Sequence, residues 1–127
     1  LTIDIVRKEI SDGRFNIPPP TEIFNQWEEN GILLLNTSLT CELNKPNSHS
    51  KLWKHFTEKT IEFIAKSDKN KHWLLFGNKA KAFAPRIEQA GSHNTLTLRT
   101  HPRTTKFVKS GAFKEVINLF MDMQIYA

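Results

Sequence analysis

Four consecutive aliphatic residues, Ile32-Leu33-Leu34-Leu35, stand between Gly31 and Asn36. A run this short and this apolar predicts a strand buried on both faces, since a half-exposed strand would alternate with polar residues. His72–Phe76 reads as a second buried strand. A third is expected over Asn94–Thr100, where Leu96 and Leu98 alternate with Thr95, Thr97 and Arg99. Strands of this kind must be covered by helices, and helical patterns do lie between them. Ser50–Ala65 carries Leu52, Trp53, Phe56, Thr60, Phe63 and Ile64 at helical spacing, with Lys54, Glu58, Lys59, Glu62 and Lys66 largely opposite. Asn78 opens a helical stretch that Pro85 must kink or divide, because proline lacks the amide and clashes with the preceding turn.

The ends of the chain extend the pattern. Apolar residues at 3, 6 and 10 predict an amphipathic helix over Leu1–Ile10, closed by Gly13. Pro18-Pro19-Pro20 forms a stiff connection, and Thr21 is placed to cap a short helix running through Trp27. Ser110 is placed to cap a final helix bearing Phe113, Val116, Ile117, Phe120 and Met123. Helices alternating with strands give an α/β fold, a three-layer αβα arrangement around a central, mainly parallel sheet. A single domain over residues 1–127 is expected, a size that buries a real core without staples.

Composition narrows the setting. Cys41 is the single cysteine, so no internal disulfide and no cysteine-based zinc site can form. The lone cysteine points to a reducing intracellular compartment, and since no apolar run approaches a membrane span, no membrane partner is expected. Charge is unevenly spread. Residues 1–44 hold three Lys/Arg against seven Asp/Glu, and residues 45–127 hold fifteen against six. A basic surface of this kind is either a solvated lysine-rich face or one that displaces the counterions of a polyanion.

Ligands of a parallel sheet bind beyond the carboxyl ends of its strands, which selects three loops: Asn36–Ser48, Gly77–Lys81 and His101–Ser110. Asn36 is either an Asx turn or a base reader, its amide offering one acceptor and one donor side by side. Gly77-Asn78-Lys79 allows close approach of an anion to a helix start, with Lys79 and Lys81 adding charge, or is an ordinary capped helix. In Thr100-His101-Pro102-Arg103-Thr104-Thr105-Lys106, proline stiffens the loop and Arg103 and Lys106 suit phosphate. His101 either donates to developing negative charge or satisfies its neighbours. The remaining histidines lack metal-ligand spacing, and there is no Walker loop, nucleophile elbow or dinucleotide glycine fingerprint.

Taken together, these stretches resemble family 1 uracil-DNA glycosylases, over the C-terminal two-thirds of that family's pattern. G-[VI]-L-L-L-N-x-x-L-T matches Gly31–Thr40 at every fixed position. The family's S-H and W-x-x-F elements match Ser48-His49 and Trp53–Phe56, its strand-and-glycine loop matches "WLLFGNKA", and Thr100-His101-Pro102 begins its H-P-S-P-L-S loop. The resemblance implies an enzyme of base excision repair that needs no cofactor, flips uracil out of DNA and hydrolyses its N-glycosidic bond. It implies that Asn36 pairs with the uracil edge and that neutral His101 donates to the uracil oxygen. Gly77, Asn78, Lys79, Pro102, Arg103, Thr105 and Lys106 become DNA contacts, and DNA the partner of a monomer. A protein partner stays open.

The departures are specific. The family's G-Q-D-P-Y-H segment, which carries the water-positioning Asp and the thymine-excluding Tyr, is not in these 127 residues, nor is the Phe that stacks on uracil. The resemblance places both before Leu1, making the expected domain incomplete at its N-terminus. Asn78 stands for a serine, Arg103 and Thr104 for the loop's serine and second proline, and Thr105 for the wedge leucine. The alternative reading is a catalytically inactive module of this fold that binds DNA or a protein.

Overall fold

The computed structural model describes residues 3–14 and 21–111. The described chain divides into two compact units, one built on residues 3–14 and 21–34 and one on residues 35–111. The first holds α1 (Ile3–Ser11) and α2 (Ile23–Glu29). Helix α1 ends as expected, with Gly13 at φ 70° donating its amide to the Ile10 carbonyl. Helix α2 is capped differently from expectation. Its N-cap is Glu22 with no side-chain bond, so Thr21 lies one residue too early to reach the free amides. At the other end, Gly31 at φ 78° donates to Glu28 and Ile32 to Trp27, the paired bonds that close a helix on a left-handed residue. The glycine that opens the aliphatic run is therefore a helix terminator.

The second unit carries α3 (Ser50–Lys66), β1 (Lys71–Phe76), α4 (Asn78–Lys81), α5 (Ala84–Gln89), β2 (Asn94–Arg99) and α6 (Thr105–Lys109). The α/β class holds. Strands β1 and β2 pair in parallel, in a register running from Lys71 opposite Asn94 to Phe76 opposite Arg99. Trp73, Leu75 and Leu96 share one face, as the two-residue period requires, and meet Ile61 and Ala65 of α3 and Ala84 and Ile87 of α5. Pro85 divides α4 from α5 by occupying the first turn of α5, where no amide is needed. Arg86 then ties α5 to the flank of α3 through Glu58 at 3.3 Å and Glu62 at 3.1 Å. The Lys59 hydrogen bond, reinforced by its charge and that of Arg86, holds the Glu62 carboxyl below the usual carboxylate range.

Two expectations are corrected. Ile32–Leu35 joins no ladder among the described residues, and Leu33 and Leu34 are 65% and 61% exposed. A buried parallel strand requires a hydrogen-bonded neighbour, and among the described residues the sheet consists of β1 and β2. Helix α3 buries Thr57, Ile61 and Ala65 rather than Leu52, Phe56 and Phe63, which are exposed. Small and β-branched side chains at four-residue spacing let α5 and the sheet approach closely, whereas the bulkier stripe lies on another flank. Ser110 is the C-cap of α6, its hydroxyl donating to the Phe107 carbonyl. Pro18–Pro20 and the final helix expected beyond Ser110 lie outside the described residues.

One buried polar side chain joins three elements. Asn94, at the start of β2, accepts from Trp73 Nε1 at 2.8 Å and donates to the carbonyls of Ala65 (3.0 Å) and Gly91 (3.2 Å). Asn94→Ala is expected to cost about 2–3 kcal/mol, because it leaves the indole N–H without its acceptor and removes two further bonds. Urea denaturation checks this: the midpoint should fall with the slope unchanged.

Candidate functional site

The carboxyl ends of β1 and β2 continue side by side into the two loops that carry Gly77 and His101. The Gly77 amide donates to the Arg99 carbonyl at 3.0 Å, which extends the ladder by one bond. Gly77 adopts φ 85° and ψ 165°, a conformation reserved for glycine. A Cβ here would stand 3.0 Å from His101 Cδ2 and 3.1 Å from His101 Cβ. The bare backbone of Gly77 is thus the floor on which the imidazole lies. Asn78 begins α4 and is exposed, as is Lys79.

The ring itself is oriented by its own loop. The Arg103 amide donates to His101 Nδ1 at 3.1 Å, and the His101 carbonyl accepts from the Thr104 amide (3.0 Å) and hydroxyl (2.9 Å). An N–H directed at Nδ1 requires that nitrogen to be unprotonated, so the neutral ring carries its proton on Nε2. Below the loop, Phe107 of α6 is buried and meets Phe76 edge-on with ring centroids 5.3 Å apart. The short helix α6, inside a segment expected to be all loop, pins the His101 turn to the end of β1. Pro102, Arg103, Thr105 and Lys106 are exposed around it. Neither the segment Gly77–Lys81 nor His101–Ser110 contains a carboxylate, so both segments carry net positive charge.

The loop that follows Asn36 touches this group at its far end. Asn36 is exposed, at the start of a segment that folds back through an isolated bridge between Glu42 and Lys45. Asn47, held at φ 68° near the far end of that loop, accepts a hydrogen bond from Lys79 Nζ. Lys79 is therefore engaged with a neutral amide, which couples the Asn36 loop to α4. Between the two limbs of the loop lies an open groove of about 450 Å³ lined by Ser38, Leu39, Thr40, Cys41, Pro46 and Asn47. The three loops selected from sequence thus meet: the first with the second through Asn47 and Lys79, the second with the third through Gly77 and His101.

Known proteins give the same direction. A protein named uracil-DNA glycosylase from Campylobacter curvus (strain 525.92) is 39% identical over 98 residues, covering 76% of this chain and 42% of its own length. One of the same name from Bacillus thuringiensis (strain Al Hakam) is 30% identical over 119 residues, covering 91% of this chain and 53% of its own. The chain is homologous to the uracil-DNA glycosylases. It spans about half the length of the curated relatives it matches. No protein-family model matches it.

Within this glycosylase homologue, sequence reasoning matched Ser48, His49 and Trp53 to family elements but singled out neither Thr57 nor the hold these residues have on the Asn36 loop. Thr57 Oγ1 of α3 donates to the Thr37 carbonyl at 3.2 Å, and Trp53 Nε1 donates to Thr40 Oγ1 at 2.8 Å. His49 Nδ1 meets the same hydroxyl at 3.0 Å, and Ser48 Oγ accepts the Glu42 amide at 2.7 Å. The available signal was the four-residue spacing of 49, 53 and 57. Among the described residues, no group of three or more His, Cys, Asp or Glu could hold a metal ion. No described helix is long and apolar enough to cross a membrane.

Proposed function

We propose that this chain is the C-terminal part of a uracil-DNA glycosylase, which flips uracil out of single- or double-stranded DNA and hydrolyses its N-glycosidic bond. The observation that carries the reading is the His101 geometry in a homologue of these enzymes: Nδ1 takes the Arg103 amide, leaving the Nε2–H as a donor. Cleavage of the glycosidic bond leaves the electron pair on the base, so negative charge grows on a uracil oxygen as the bond lengthens. A neutral N–H aimed at that oxygen strengthens with the charge and lowers the barrier. Uracil presents N3–H as donor beside a carbonyl acceptor, and the Asn36 amide answers both, its oxygen accepting and its NH₂ donating. Cytosine presents the reverse pair and is rejected. The exposed Asn78, Lys79, Pro102, Arg103, Thr105 and Lys106, with the Gly77 backbone, face the DNA backbone, and an intracellular site of action follows from that partner.

The residue that positions water belongs, on this reading, to the part of the relatives this chain does not span. The test therefore uses the longest native chain. Uracil release is measured from single- and double-stranded oligonucleotides with Asn36→Ala beside the unaltered protein. Release is expected to fall about 10²-fold or more with Asn36→Ala, from the loss of two hydrogen bonds made to a desolvated base. Undiminished release would remove Asn36 from the role assigned to it.

A further inference from the structure

We propose that Thr57 is a positioning residue for base selection, acting through the backbone that carries Asn36, with Trp53 holding the other end of the same short segment. The inference rests on the base-reading role of Asn36. Thr57 is 1% exposed, and its hydroxyl spends its proton on the carbonyl of Thr37, the residue that follows Asn36. A threonine hydroxyl in a helix interior ordinarily bonds back to its own helix; here it leaves the helix to hold a loop twenty positions away in sequence. Three residues on, Thr40 is gripped by Trp53 and His49. Since 49, 53 and 57 repeat at one helical turn, a single stripe of α3 fixes Thr37 and Thr40 together. Asn36 itself is exposed, in a segment that joins no β ladder among the described residues. A side chain that must discriminate two bases by the direction of its amide needs its Cα held to a fraction of an ångström. In this unit the stripe on α3 is what supplies that hold.

The consequence is a split between affinity and selectivity. Binding is read with the longest native chain on DNA carrying 2′-fluoro-2′-deoxyuridine, whose glycosidic bond resists hydrolysis, against the same strand carrying 2′-fluoro-2′-deoxycytidine. Thr57→Val keeps the shape and removes the hydroxyl; it is expected to lower the uracil-over-cytosine preference about tenfold. Thr57→Ser, which keeps the hydroxyl, restores the preference to within about twofold. Trp53→Phe, which removes only the indole donor, lowers it about threefold and serves if Thr57→Val fails to fold. A purely structural Thr57 would weaken both complexes in parallel and leave the ratio intact; that outcome, or a valine variant as selective as the unaltered protein, overturns the proposal. If the unaltered protein shows no preference, or one indifferent to Asn36→Ala, the base-reading role of Asn36 fails first and this inference falls with it.

Discussion

His101→Ala is expected to lower the rate of uracil release about 10²–10³-fold, the usual consequence of removing one donor from a site where an anion develops. The loss should appear in kcat with KM little changed, because the hydrogen bond gains its strength only as charge accumulates. Single-turnover rates on a uracil-containing oligonucleotide measure the chemical step directly. Because the ring is exposed and contributes to no core cluster, the variant should melt near the unaltered protein. A variant within threefold of the unaltered rate would show that the ring, despite its fixed tautomer, does not meet the leaving group.

Gly77→Ala is the second large effect, and it joins stability to chemistry. An alanine at φ 85° and ψ 165° is strained by about 1–3 kcal/mol whatever the space around it. Its methyl would also press on the imidazole at 3.0 Å, tighter than ordinary contact, and the ring has the Arg103 amide bonded to its opposite edge. The ring must tilt or that bond must lengthen. Uracil release is expected to fall about 10²-fold, the cost of roughly an ångström of misplacement, while the melting transition drops with the strain. The His101 ring proton resonances should move in the variant and stay in place in Lys79→Ala, where the ring environment is untouched. Loss of stability with unaltered resonances and rate would separate the glycine from the site.

Some of this architecture was legible beforehand and some was not, for reasons that can be named residue by residue. The strand β2 shows itself through Leu96 and Leu98 alternating with threonines, and the break between α4 and α5 through Pro85, because both are local: one is a period, the other a missing amide. The buried flank of α3 is not local. Leu52, Phe56 and Phe63 are the more apolar choice, yet the packed stripe is Thr57, Ile61 and Ala65, selected by the closeness that α5 and the sheet demand. Helix α6 was hidden by Pro102 and two threonines, which read as a loop; burial of Phe107 against Phe76 decides it.

The run Ile32–Leu35 marks the boundary between the two kinds of knowledge. Its composition and the asparagine that follows were enough to point to the family, since a motif is a property of the chain order alone. Whether those leucines form a strand depends on a neighbour in space, and a ladder cannot be specified from one side. The same holds at the site. Sequence alone named Asn36 and His101, because residue type sets what hydrogen bonds a side chain can make, and Gly77, because a residue without a side chain permits close approach. Only the tertiary structure laid the imidazole on the Gly77 backbone, turned its Nδ1 to the Arg103 amide and fastened the Asn36 loop to α3, because orientation is determined by contacts between segments far apart in the chain.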